Sequence, residues 1–194
     1  MKNIVFAATA LFVTMGVAQA QAQIAPAKPF HWMAGMGISG GGDKLATAEY
    51  TDGQTQNIRA GSGVYFTGGV DYRVASDFSI QGTINFHIDD TSASNGSIRF
   101  ERFPIEFLGY YHVNDALRIG AGLRYINGAK LSSSGAASGL NFKFDNTVSS
   151  VAEAEYFWTP QIGMKMRYVK ETFKAPGIKD VKANHVGISG NYYF

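Results

Sequence analysis

The chain of 194 residues contains no cysteine. Disulfides, a thiolate metal site and a lipid-modified cysteine anchor are thereby excluded. Charge of one sign is not in excess either: 17 Lys and Arg against 15 Asp and Glu give +2, so a strongly basic surface for nucleic acid is not implied. Past the first twenty residues, no apolar run approaches the ~18 residues of a membrane-crossing helix. Any residence in a membrane has to be achieved with strands.

The N-terminus does carry an apolar run. Met1-Lys2-Asn3 precedes Ile4 to Ala18, and Ala18-Gln19-Ala20 has the small-x-small form of a cleavage site. This reads as a secretory signal over 1–20, followed by one domain over 21–194. Removing Lys2 leaves 16 basic and 15 acidic residues, a balance of 16 − 15 = +1. Glycine is abundant at 23 residues, and Ser and Asn gather between patterned segments.

The most informative stretch is Phe103 to Tyr125, FPIEFLGYYHVNDALRIGAGLRY. Phe103, Ile105, Phe107 and Tyr111 share one parity, with Pro104, Glu106, Leu108, Tyr110 and His112 on the other. Past Asn114-Asp115, Leu117, Ile119, Ala121, Leu123 and Tyr125 alternate with Arg118, Gly120, Gly122 and Arg124. Period-two alternation predicts strands, and Asn-Asp supplies the reversal. Two strands of about ten residues match the ~9–11 that a tilted strand needs to cross a bilayer.

The same pattern recurs along the chain. Strands are expected from about Phe30 to Ser39, Val64 to Arg73, Phe78 to Asp89, Leu140 to Trp158, Ile162 to Glu171 and Asn184 to Phe194. With the hairpin they make eight, joined alternately by tight turns (Ala75-Ser76-Asp77, Asn114-Asp115, Thr159-Pro160) and by polar loops, the longest being Gly40 to Ala60 and Asn127 to Asn146. The expected fold is all-β: an eight-stranded antiparallel up-and-down transmembrane β-barrel with short connections at the periplasmic end. Trp32, Tyr72, Phe78, Tyr111 and Trp158 fall at that end and are expected to form an aromatic girdle.

Alternation alone does not say which face is outside, since a soluble ligand-carrying barrel alternates with its apolar face inward. Size decides. The apolar face carries Phe, Tyr, Trp, Ile and Leu, whereas the polar face is thinned by Gly35, Gly37, Gly69, Gly120, Gly122, Gly163 and Gly187. An eight-stranded lumen has room for packed side chains and little more, so the glycine-relieved face belongs inside. Its charges are Asp71, Arg73, Asp89, Arg102, Glu106, Arg118, Arg124, Glu153, Glu155, Lys165, Arg167 and Glu171, six of each sign. Such a balance predicts pairing, because an unpaired buried charge is costly. The expected cross-strand pairs set Glu106 against Arg118 and Arg124, and Glu153 and Glu155 against Lys165 and Arg167. The functional alternative for the same charges is a conducting pore.

The remaining polar residues form no catalytic pattern. His87 with Asp89, and His185 with Ser189, share faces, yet nothing local brings nucleophile, base and orienter together. They read as lumen or rim residues. His31 and His112 fall at the opposite end from His87 and His185, so no metal site is expected. GISGGGDK lacks the end of a phosphate-binding loop. Basic residues near the outer rim, Lys44, Arg59, Arg99, Lys130, Lys174, Lys179 and Lys182, are interspersed with acidic ones and read as solvated loop charges.

Taken together, these strands, the signal and the terminal Tyr192-Tyr193-Phe194 resemble the small outer-membrane barrels of the OmpA/OmpX type. In that family a last strand ending in Phe is read by the barrel-assembly machinery, which the resemblance carries onto Tyr192 and Phe194; Ser189 and Gly190 depart from the usual placement of glycine in that signal. A peptidoglycan-binding domain like that of OmpA is not expected here. The resemblance implies a non-enzymatic structural or surface-exposed platform contributing to envelope integrity. Adhesion or host-factor binding through the long loops is the first alternative, a narrow channel or small hydrophobic-ligand carrier the second. No cofactor is expected. The expected partners are outer-membrane lipid and lipopolysaccharide, the assembly machinery and a loop ligand, with the barrel itself a monomer.

Overall fold

A computed structural model describes residues 29–49, 55–93, 96–135, 139 and 141–194. The expected signal, including Ala18-Gln19-Ala20, lies outside the described residues. So does Leu140.

Eight antiparallel strands form the wall. They are β1 (Phe30–Gly41), β2 (Gly63–Ala75), β3 (Phe78–Ala93), β4 (Gly96–Arg102 and Pro104–His112, interrupted at Phe103), β5 (Leu117–Ile126, continued by Lys130–Gly135), β6 (Thr147–Thr159), β7 (Ile162–Lys170) and β8 (His185–Tyr193). Each pairs with its sequence neighbours, and β1 pairs with β8 from Met33↔Tyr193 to Gly41↔His185, which closes the cylinder. Closure leaves the eight spanning stretches no free edge.

Burial follows the parity of the sequence. Ile84, Phe107, Ile119, Leu123, Met166 and Val186 are each at least half exposed, while Glu106, Arg118, Arg124, Glu153, Glu155, Lys165 and Arg167 are buried. An exposed apolar wall around a buried charged interior inverts a water-soluble protein. It is the arrangement that hydrocarbon requires of a spanning barrel.

The glycines on the inner face make room for large neighbours. A Cβ at Gly120 would lie 2.5 Å from the ring of Tyr110. Tyr110 is fully buried and reaches across the lumen.

Three expectations are corrected at the loop end. The sixth strand begins at Thr147, not near Leu140, because Phe142–Lys143 turns back to pair with Leu131 and Lys130 of β5. The third strand does not end at Asp89 with a loop over Thr91 to Ser97, as its alternation suggests: β3 runs to Ala93 and the chain is again strand from Gly96, so the wall rises beyond the bilayer. The first long loop contains a hairpin, Lys44–Glu49 paired with Thr55–Arg59. Gly42, at φ 76°, makes the bend that leads into it.

Above the charged interior, these projecting segments enclose a second core of Ala46, Ile58, Ile98, Phe100, Ile126, Leu131, Phe144, Phe173 and neighbouring alanines. Phe100, Phe144 and Phe173 form a ring trio with centroids 5.6–5.8 Å apart, a spacing at which aromatic edges and faces attract. This core lies over the outer end of the lumen.

Candidate functional site

The interior side chains form one continuous series of alternating charge. At the short-turn end Arg118 holds Asp71 (2.8 Å) and Glu155 (2.8 Å). Glu155 meets Lys165 at 3.8 Å, and Lys165 meets Glu153 at 3.1 Å. Arg167 then joins Glu153 to Glu106, each at 2.6 Å. Arg124 links Glu106 (2.8 Å) to Glu171 (3.2 Å), and Arg102 ends the series 3.6 Å from Glu171. Five cations thus alternate with five carboxylates, all buried. Each charge has an opposite neighbour, which is the condition under which burial of ions is tolerated.

Neutral groups complete the lattice. Tyr110 donates to Glu153 and accepts from Lys165 (2.9 Å). Tyr193 donates to Glu155 (2.7 Å) and accepts from Arg118 (2.7 Å). The Arg118 guanidinium also lies 4.2 Å from the centre of the Tyr110 ring, within cation–π range. Strand register positions these groups: Glu106 faces Arg124 across β4 and β5, and Glu153 and Glu155 face Arg167 and Lys165 across β6 and β7.

Of the pairs expected from sequence, the structure brings together Glu106 with Arg124, Glu153 with both Lys165 and Arg167, and Glu155 with Lys165. It does not join Glu106 to Arg118. Arg118 sits opposite His112, a long step nearer the short turn, and reaches Asp71 and Glu155 instead. Arg73 is likewise no lumen charge; it is half-buried at the turn and donates to the Ser76 carbonyl. Asp89 is half-buried at the outer rim, accepting from the Arg59 backbone N–H at 3.1 Å. Burial there raises its pKa.

Trp32, Tyr72, Phe78, Tyr111 and Trp158 all lie exposed on the outer wall beside the short turns. Tyr192 and Phe194 are exposed there too, and the Phe194 backbone N–H donates to the Trp32 carbonyl at 2.9 Å. The rim cations Lys44, Arg59, Arg99, Lys130, Lys174, Lys179 and Lys182 are exposed. Arg99 pairs with Asp90 at 3.0 Å, which raises its pKa, and Lys174 lies 3.8 Å from Asp180.

One contact between residue types used in catalysis escaped the sequence reading. His87 Nε2 lies 2.8 Å from Ser39 Oγ. Arg102 donates to that same nitrogen at 3.0 Å, and Ser39 Oγ donates to the Gly61 carbonyl at 2.8 Å. The trio therefore joins β1, β3 and β4 beneath the loop core. His185 is tied by Nδ1 to the Ala183 carbonyl at 2.7 Å, while Ser189 accepts from Asn191 at 3.3 Å, so these two do not act together. Among the described residues no cluster of metal-ligating side chains is present.

Comparison with known proteins agrees with this geometry. No curated protein matches the sequence. The fold is similar to that of Ail, the attachment invasion locus protein of Yersinia pestis. Two crystal structures of Ail, one in complex with the heparin analogue sucrose octasulfate, give TM-scores of 0.58 and 0.54 at 12% and 15% identity, covering 85% of this chain and 97% of Ail. Neisserial surface protein A gives 0.51 at 13% identity, covering 86% of this chain and 98% of that one. At such identities the likeness is one of fold. The sequence itself matches a family profile over residues 8–194, and the closed eight-stranded wall agrees with it: the chain belongs to the outer membrane protein beta-barrel domain family, and its place is the outer membrane.

Proposed function

We propose that the protein is a non-enzymatic outer-membrane platform, working as a single copy, that contributes to envelope integrity and presents a structured surface to the outside. The observation that carries this reading is the unbroken series from Asp71 to Arg102, which fills the lumen with matched charge. A pore needs a continuous path of water, and a carrier needs a lined cavity. Side chains bonded across the lumen serve neither. The girdle residues Trp32, Tyr72, Phe78, Tyr111 and Trp158 set the depth of the barrel in lipid, and Tyr192 with Phe194 serves as the recognition signal for the barrel-assembly machinery.

The test compares cells with and without the gene. Uptake of a bulky antibiotic is expected to rise without the protein, while the mass spectrum of lipid A stays unchanged. A lipid A species present only with the protein would overturn the non-enzymatic reading.

The loop core favours a second reading, contact with a surface ligand. Apolar residues at its centre pack the described parts of the outer loops together and leave Lys44, Arg59, Lys130, Lys143, Lys174 and Lys182 exposed around it. Ail, of the same fold, has been crystallised with a sulfated sugar, and a sulfated polysaccharide is the ligand class that these cations suit. Binding that survives replacement of the loops would contradict it.

A further inference from the structure

The outer wall carries a groove of about 450 Å³, a size within the ~300–1,000 Å³ of small-ligand sites. It crosses the strands instead of following one. Gly190 forms its floor between two methionines, Met36 of β1 and Met164 of β7, which stand at the register positions on either side of it. Ile38 and Ile188 flank the upper part, and Trp158 stands at the lower end by the short turn of β6 and β7. A Cβ added at Gly190 would meet nothing within 4 Å, so the depression exists because this position lacks a side chain.

We propose that this groove is a binding site for one acyl chain of a phospholipid from the periplasmic leaflet. It is continuous with the exposed apolar band that faces the bilayer, so its occupant is hydrocarbon or protein, not water. A second copy of the chain is the poorer fit, since a two-fold contact sets the same patch against itself. Two hollows face to face would leave a void whose lining loses its dispersion contacts. A single flexible chain fills such a hollow, and methionine side chains adapt to it without branching. Trp158 marks the end of the groove beside the short turns, at the level of the headgroup region, and this selects the periplasmic leaflet.

The two tryptophans of the chain provide the test. Trp32 is exposed on the same wall, outside the groove. The full-length protein is reconstituted as two single-reporter forms, Trp32→Phe and Trp158→Phe, in bilayers holding a minor fraction of phosphatidylethanolamine brominated along its acyl chains. The Trp158 reporter is expected to be quenched more strongly than the Trp32 reporter, and Gly190→Leu, which fills the hollow, is expected to abolish the excess. Gly190→Ala, a smaller filling, is expected to reduce it and serves if the leucine variant folds poorly, folding being read from heat-modifiable gel mobility. Equal quenching of both reporters, an excess that persists in folded Gly190→Leu, or one undiminished in folded Gly190→Ala, would overturn the proposal. So would protection of Trp158 below the Trp32 level together with dimers in sedimentation, which would assign the groove to a second copy.

Discussion

Arg167 Nη2 lies 2.6 Å from Glu106 Oε2, although β7 and β4 share no backbone hydrogen bond and face each other across the lumen. The contact is a strut through the middle of the cylinder. Arg118 to Asp71 is a second, joining β5 to β2 at 2.8 Å. Such struts tie opposite walls together.

Glu106→Gln removes the one carboxylate shared by Arg124 and Arg167. Breaking a buried pair from one side costs ~3–5 kcal/mol because the remaining charge stays buried. Urea unfolding in lipid vesicles, followed by tryptophan fluorescence, is expected to show a destabilisation of this size. Replacement at a rim charge such as Lys179, exposed in the last loop, should change stability little.

Ile84 and Thr83 are adjacent on β3 but point to opposite sides, at 67% and 5% exposure. Ile84→Arg puts a cation into hydrocarbon and is expected to cost ~2–4 kcal/mol near the bilayer midplane, as is Ile119→Arg. Thr83→Arg enters a polar interior, so its penalty comes from crowding. Varying bilayer thickness separates the two: the cost at 84 and 119 should change with thickness and the cost at 83 should not.

Gly120 owes its place to Tyr110, whose ring would lie 2.5 Å from an added Cβ. Gly120→Val is expected to push that ring from its bonds to Glu153 and Lys165, with an overpacking cost of ~1–3 kcal/mol. Gly190→Ala meets open space and is expected to leave the unfolding midpoint nearly unchanged.

Phe100→Ala opens the centre of the loop core, where Phe144 and Phe173 rest on it. A buried Phe→Ala change costs ~3–5 kcal/mol, and here the loss should fall on the loops. Limited proteolysis is expected to clip the outer loops faster while the spanning wall, paired all round, resists.

Much of this was legible in the sequence because a spanning strand must alternate. Parity alone separates Ile105 and Phe107 from Glu106 and Leu108, and the turn at Asn114-Asp115 brings Arg124 beside Glu106. Parity gives the side of the wall, not the partner across it. Which strand faces which through the lumen depends on closure and stagger, and these assigned Arg118 to Asp71 and Glu155. The loop core was missed for another reason. Phe173 stands as a single apolar residue in a polar stretch, and Phe144 alternates with Phe142 and Leu140 in a pattern that reads as more of the sixth strand, not as a loop core. Ile98 and Phe100 did carry a signal, since they keep the inward parity of Arg102 and Glu106.

The central claim is that matched side chains close the lumen, and current through a planar bilayer measures this most directly. With the refolded full-length barrel inserted, the recording is expected to stay at the level of the bare membrane across a range of salt and voltage. Reproducible conductance steps that scale with salt concentration would contradict it.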